Sequence, residues 1–148
     1  AGKKDLGMMA MCYGNIYVAK VAMGANPRQM LKAFQEAEAY DGPSLILAYS
    51  TCIAHGFPLV KTPDQEKLAV QCGHWPLYRF NPELMDQGQN PLTMDSKAPS
   101  IPVKDYAYNE VRYTMLTRSK PEEAARLLKL AQQDVDQRWA LYQKWAAE

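Results

Sequence analysis

The sequence predicts an α/β fold built on a partial parallel sheet, and three observations carry that prediction. A β-branched, aromatic run over 16–23 is followed by a segment with its own helix start and stop signals, and then by a second apolar run over 44–50. The second run is apolar on both faces, as a strand buried beneath helices requires. The segment between them is about as long as a βαβ crossover helix, a connection that is right-handed in nearly all known cases.

Each element follows from local chemistry. Asp5 can cap a short helix with Leu6, Met9, Ala10 and Tyr13 on one face, closed at Gly14. After the first strand, Asn26-Pro27 places a capping side chain before a proline at the first helical position, where its missing N–H costs nothing. Met30, Leu31, Phe34 and Ala37 then form an apolar stripe that stops at Asp41-Gly42-Pro43. Beyond the second strand, Thr62-x-x-Gln65 has the form of a capping box for a helix carrying Leu68, Ala69 and Cys72 and ending at Gly73. Residues 77–80 can make one more strand. The proline-rich stretch 81–102 has little periodicity and is expected to be ordered but irregular chain. A helix is expected from Asp105 through Tyr106, Val111, Met115 and Leu116. A second capping box, Ser119-x-x-Glu122, opens a long helix with Ala124, Leu127, Leu128, Ala131, Val135, Trp139 and Tyr142 on its apolar stripe. The chain divides accordingly into an α/β portion over 1–102 and a helical segment over 103–148 that packs on it.

Composition narrows the function classes. The 148 residues are 47% hydrophobic and 22% charged, which excludes a disordered tail or a disulfide-dense miniprotein. Seventeen basic side chains against sixteen acidic ones leave a net charge of +1, without the excess that phosphate neutralisation by a nucleic-acid binder demands. No apolar run approaches the length needed to cross a bilayer, and the first residues lack a signal-peptide core, so a soluble, cytoplasmic protein is expected. Three cysteines, Cys12, Cys52 and Cys72, are odd in number and form no CxxC pair, which speaks against a secreted disulfide framework. Two good strands and one possible strand are too few for a doubly covered parallel sheet. Further strands are therefore expected from upstream of Ala1 or from a partner chain.

Open parallel sheets bind ligands at the carboxyl ends of their strands, which directs attention to the segment STCIAHG over 50–56. Cys52 there can be a structural thiol, a ligand for zinc or an iron-sulfur cluster, or a nucleophile paired with His55. His55 itself suits loop packing, and Cys12 and Cys72 suit small core positions. No GxGxxG, GxxxxGK[ST] or HExxH motif is present, and Asp95, Asp105 and Glu110 are too dispersed to suggest paired carboxylate chemistry. The late aromatic residues, Trp139, Tyr142 and Trp145 among them, fit core or interface packing. A stand-alone α/β interaction module docking through that aromatic helix face is the alternative.

Longer words of the sequence carry more. The runs KKDLGMMAMCYGNIYVAKVAMGAN, EAEAYDGPSLILAYSTCIAHG, KLAVQCGHWPLYRFNP and NPLTMDSKAPSIP, in that order, closely resemble the carboxyl-terminal part of the thiamine-diphosphate domain of pyruvate:ferredoxin (flavodoxin) oxidoreductases. The resemblance covers nearly the whole chain and is weaker past about residue 103. It implies a cytoplasmic homodimeric enzyme that oxidatively decarboxylates pyruvate with coenzyme A to acetyl-CoA and carbon dioxide. Such an enzyme uses thiamine diphosphate, Mg2+ and 4Fe-4S clusters and passes electrons to ferredoxin or flavodoxin. It also implies that Cys52, in AYSTCIAHG, is a metal ligand of the cluster nearest the thiamine, the other three ligands lying earlier in the polypeptide. The family's GDG word and magnesium-diphosphate word are not among these 148 residues, so no catalytic or thiamine-binding residue is assigned, and the isolated segment is expected to be inactive and to bind no cofactor. Residues 57–63 also depart from the glycine-containing loop of the family.

Overall fold

The computed structural model describes residues 4–147. Its centre is a four-stranded mixed sheet in the order β2-β1-β3-β4, formed by β1 (Tyr17–Val21), β2 (Ser44–Ala48), β3 (Tyr78–Phe80) and β4 (Leu92–Met94). The expected βαβ unit is present. β1 and β2 run parallel with Tyr17 opposite Ser44 and Val21 opposite Ala48, and α2 (Pro27–Ala39) connects them. β3 then pairs antiparallel with the other edge of β1, and β4 antiparallel with β3. The 81–102 stretch is therefore not wholly irregular. Leu92 sits opposite Phe80 and is buried, so three residues of strand form where a partner edge is waiting, too short a run for alternation to register.

The first two helices form behind the caps the sequence predicts, but each turns a different face inward. In α1 (Leu6–Met11) the Asp5 carboxylate accepts from the Met8 N–H at 3.2 Å, while Leu6, Met9 and Tyr13 of the expected apolar face are exposed. Gly7, Ala10 and Met11 face the sheet instead. Gly7 explains the choice: a Cβ there would lie 1.8 Å from the Tyr78 hydroxyl, so the helix approaches the sheet through its smallest side chains and leaves the bulky ones outside. In α2 the Asn26 side chain caps Gln29 and the buried positions are Gln29 and Ala33; Met30 and Ala37 pack against Tyr17, Ala19 and Val21, whereas Leu31 and Phe34 are exposed.

A polar cluster occupies the ground that a wholly apolar stripe would have covered. Arg79 on β3 holds Asp95 through two hydrogen bonds at 2.9 Å and Glu36 through one at 2.6 Å. Tyr17 donates to Glu36 at 2.9 Å, and Gln29 donates to Asp95 and to the Lys20 carbonyl. Two carboxylates flanking one guanidinium hold Arg79 in its charged form, its pKa raised well above the ordinary value mainly through the Asp95 hydrogen bonds.

Neither expected capping box forms. Thr62 is the first residue of α3 (Thr62–Gln71), behind a Lys61 cap, and its hydroxyl pairs with Thr51 at 2.6 Å. Ser119 is the last residue of α6 (Val111–Ser119), its hydroxyl donating back to the Met115 carbonyl, and α7 begins at Pro121. The single helix expected from Asp105 is two, because Glu110 takes an extended conformation between α5 (Val103–Ala107) and α6. A four-residue helix, α4 (Glu83–Asp86), bridges β3 to β4. α7 (Pro121–Ala147) runs back across the molecule and buries Ala124, Val135 and Tyr142. Tyr142 enters the core formed with Val18, Tyr78, Phe80 and Leu92, and Trp145 packs at its margin.

Candidate ligand site at the end of the parallel strands

The parallel strands β1 and β2 end at the same edge, and the two chains leaving that edge are both tied to α3. After β1, the Gly24 N–H donates to Glu66 at 2.5 Å; a Cβ on Gly24 would lie 2.4 Å from the Pro63 Cα, so only glycine fits this approach. Trp75 covers the strand end, its indole N–H donating to the Val21 carbonyl at 3.0 Å, with the Lys20 ammonium 4.2 Å from its ring centre. Burial lowers the Lys20 pKa to about 8.

After β2, Tyr49 donates its N–H to the Val21 carbonyl and shares a 2.8 Å hydrogen bond between its hydroxyl and that of Tyr106. Burial pushes Tyr49 up to about 12 and Tyr106 higher still, so both rings stay neutral. Thr51 pairs with Thr62, Cys52 is extended, and the chain then tightens into a 3-10 turn over Ile53–His55. The His55 N–H donates to the Cys52 carbonyl at 3.1 Å, and Gly56, at φ 69°, donates to Ile53. That left-handed conformation and the pressure of Val111, 2.4 Å from where a Gly56 Cβ would stand, reserve the position for glycine.

The three thiols separate by environment. Cys72 is buried, as expected, with its sulfur 3.4 Å from the Ala69 carbonyl, and burial pushes its pKa up to about 11. Cys12, expected in the core, is exposed instead because α1 turns its neighbour Met11 inward. Cys52 is a free, exposed thiol at the strand-end edge. His55 is half-buried, and its Nε2 stands 3.4 Å from Arg112 Nη1.

The residues that hold this turn were not legible as site residues. Glu110 looks like a helix-start carboxylate in the sequence, yet its side chain is 3% exposed; one oxygen accepts from Gln65 at 3.1 Å and the other pairs with Arg112 Nε at 2.6 Å. A polar residue before an apolar one gives no signal of burial, which here depends on Gln65, forty-five positions away.

Among the described residues no group of three or more His, Cys, Asp or Glu side chains comes together to hold a metal. Cys52 fits one ligand of a shared centre and not a complete one.

The exposed Cys52 thiol thus lies beyond the end of β2, the parallel edge strand of the sheet among the described residues. Comparison with known proteins gives the protein class: the chain is homologous to one stretch of the pyruvate-flavodoxin and pyruvate:ferredoxin oxidoreductases. It is 57% identical over 141 residues to a putative pyruvate-flavodoxin oxidoreductase of Synechocystis, with 95% of the chain and 12% of that protein covered. It is 55% identical over 147 residues to the pyruvate-flavodoxin oxidoreductase of Nostoc, covering 99% of the chain and 12% of the relative. To the pyruvate:ferredoxin oxidoreductase of Moorella thermoacetica it is 49% identical over 144 residues, 97% of the chain and 12% of the relative. The chain thus spans about an eighth of the curated relatives it matches. No family model matches it. No helix among the described residues is long and apolar enough to cross a membrane.

Proposed function

We propose that this chain is the closing part of a thiamine-diphosphate-binding domain in a pyruvate:ferredoxin or pyruvate:flavodoxin oxidoreductase, and that its chemical contribution is the Cys52 thiolate, one ligand of a 4Fe-4S cluster. Residues 1–102 would complete the α/β domain and 103–148 would brace it. The whole enzyme would convert pyruvate and coenzyme A to acetyl-CoA and carbon dioxide as a cytoplasmic homodimer, and ferredoxin or flavodoxin would take the electrons.

The observation that carries this reading is the placement of Cys52, exposed at the carboxyl end of β2 and held on a turn fixed at both ends. A cluster bound there supplies one-electron transfer, and thiolate is its usual protein ligand. The remaining thiolates and the groups that anchor thiamine diphosphate and Mg2+ would come from outside these residues, in keeping with the solitary donor set. The alternative, a module docking through an aromatic helix face, loses its central residue, since Tyr142 points into the core and is fully buried.

The test is Cys52→Ala in the full-length oxidoreductase. It is expected to remove most of the iron of one cluster, seen by metal analysis and EPR, and to slow electron transfer to ferredoxin or flavodoxin. Full iron content together with an unchanged rate refutes the assignment.

A further inference from the structure

Resting on the reading of Cys52 as a cluster ligand, we infer that Arg112 is the positioning residue for the ligand-bearing turn, acting through His55. The turn sits flush on the first residues of α6, because Gly56 leaves room for the Val111 side chain and nothing else. The next residue, Arg112, divides its guanidinium among three neighbours. Nε pairs with Glu110 at 2.6 Å, Nη1 reaches His55 Nε2 at 3.4 Å, and Cζ lies 4.6 Å from the Tyr113 ring centre. A guanidinium can only donate, so in this contact His55 Nε2 is the acceptor.

The anchor of this chain of contacts is Glu110, almost wholly buried and pinned from its other oxygen by Gln65 on α3. Arg112 is therefore fixed before it meets His55. Since the His55 N–H holds the Cys52 carbonyl, restraint on the imidazole passes back one turn to the ligand backbone. The fork geometry matters: a lysine ammonium is a single point of charge and does not span Glu110 and His55 together. Arg112 also places a positive charge against His55, three residues from Cys52, and local charge and hydrogen bonding are among the determinants of a cluster's reduction potential.

Two measurements test this separately from the cluster assignment. In the full-length protein, Arg112→Gln and Arg112→Lys are each expected to speed hydrogen exchange at the His55 and Gly56 amides, read by mass spectrometry, about fivefold, the change that losing one hydrogen bond of ordinary net strength makes in a local opening equilibrium, with α3 amides unaffected. In the full-length oxidoreductase, Arg112→Gln is expected to keep its iron and make the cluster about tenfold harder to reduce, ~59 mV for one electron, while Arg112→Lys retains most of the potential. If Arg112→Gln fails to fold because Glu110 is left unpaired, the double variant Glu110→Gln/Arg112→Gln removes both charges and gives the same readouts. Unchanged exchange at residues 55 and 56, or an unchanged potential in the glutamine variant, overturns the positioning role. Retention of all iron by Cys52→Ala would instead remove the cluster assignment and leave the exchange result standing.

Discussion

The two halves of the sheet are finished to different degrees. On the antiparallel side, β3 is buried at Tyr78 and Phe80, α7 closes over it through Tyr142, and the polar groups at its other face are gathered by Arg79. On the parallel side, β1 is buried along its whole length, but β2 is only partly covered and its two ends are exposed. Exposed apolar residues collect around the loops at that end, with Met23, Ile53, Leu59 and Val60 all open to solvent. The first half is packed as a complete interior, and the second presents strand edge, apolar surface and a thiol together. A segment that is self-sufficient on one flank and open on the other has the form of a part made to be continued.

This contrast yields graded expectations. The largest effect should fall on the closed side: Arg79→Met leaves Asp95 without its cation, and Glu36 with only Lys32 at 3.8 Å, at sites where the Arg79 and Asp95 side chains are each 12% exposed, and should cost about 3–5 kcal/mol in a urea titration of the chain. A smaller loss would mean that this flank is less sealed than its contacts imply.

Next comes a pH effect at the centre. Lys20 has its pKa lowered from 10.5 to about 8, so the unfolded chain binds more protons than the folded one between those values. Stability should therefore rise as pH is raised through that interval, by about 3 kcal/mol. Burial raises the Tyr17, Tyr78, Tyr106 and Tyr142 hydroxyls above their ordinary 10.0, and the stability they contribute is lost as pH climbs beyond that value. Thermal unfolding should give a maximum near about pH 10, and Lys20→Met should flatten the rising limb below it. A wild-type curve that falls steadily from pH 8 would contradict the buried, uncharged tendency of Lys20.

On the open side, Gly56→Ala forces a side chain into a left-handed position against Val111 and should cost about 1–3 kcal/mol, with the disturbance confined by NMR shifts to the 52–56 turn and the start of α6. Tyr142→Phe removes a 2.7 Å hydrogen bond to Asp5 and should cost about 1–2 kcal/mol by the same denaturation assay. The smallest effect belongs to Cys52→Ala in this chain, within about 0.5 kcal/mol of the parent, since the thiol is exposed. A large loss there would show that Cys52 serves the interior rather than the rim.

The legible parts of the molecule were those written in contiguous residues. Asp5 and Asn26 announce their helices, and the two apolar runs separated by a crossover announce β1 and β2. What could not be read depended on distant partners. The inward face of α1 is chosen by a tyrosine seventy-one positions away, and β4 exists because β3 offers it an edge. The capping boxes failed for a related reason: Thr62 has Thr51 to pair with, and Ser119 satisfies itself within the preceding helix. At the site, the motif around Cys52 located the thiol, but Gln65 and the Glu110–Arg112 pair come to it from two distant stretches of chain.

The hydrogen bond between Tyr142 and Asp5 joins residues 137 positions apart, and Asn90 grips the Trp145 carbonyl beside it. Asp5 and α7 consequently lie on neighbouring ground, so the cap of the first helix and the last turns of α7 hold one another in place. It also orders the packing: α1 can seat on β1, β2 and Tyr78 before α7 has been made, and Tyr142 closes over them afterwards.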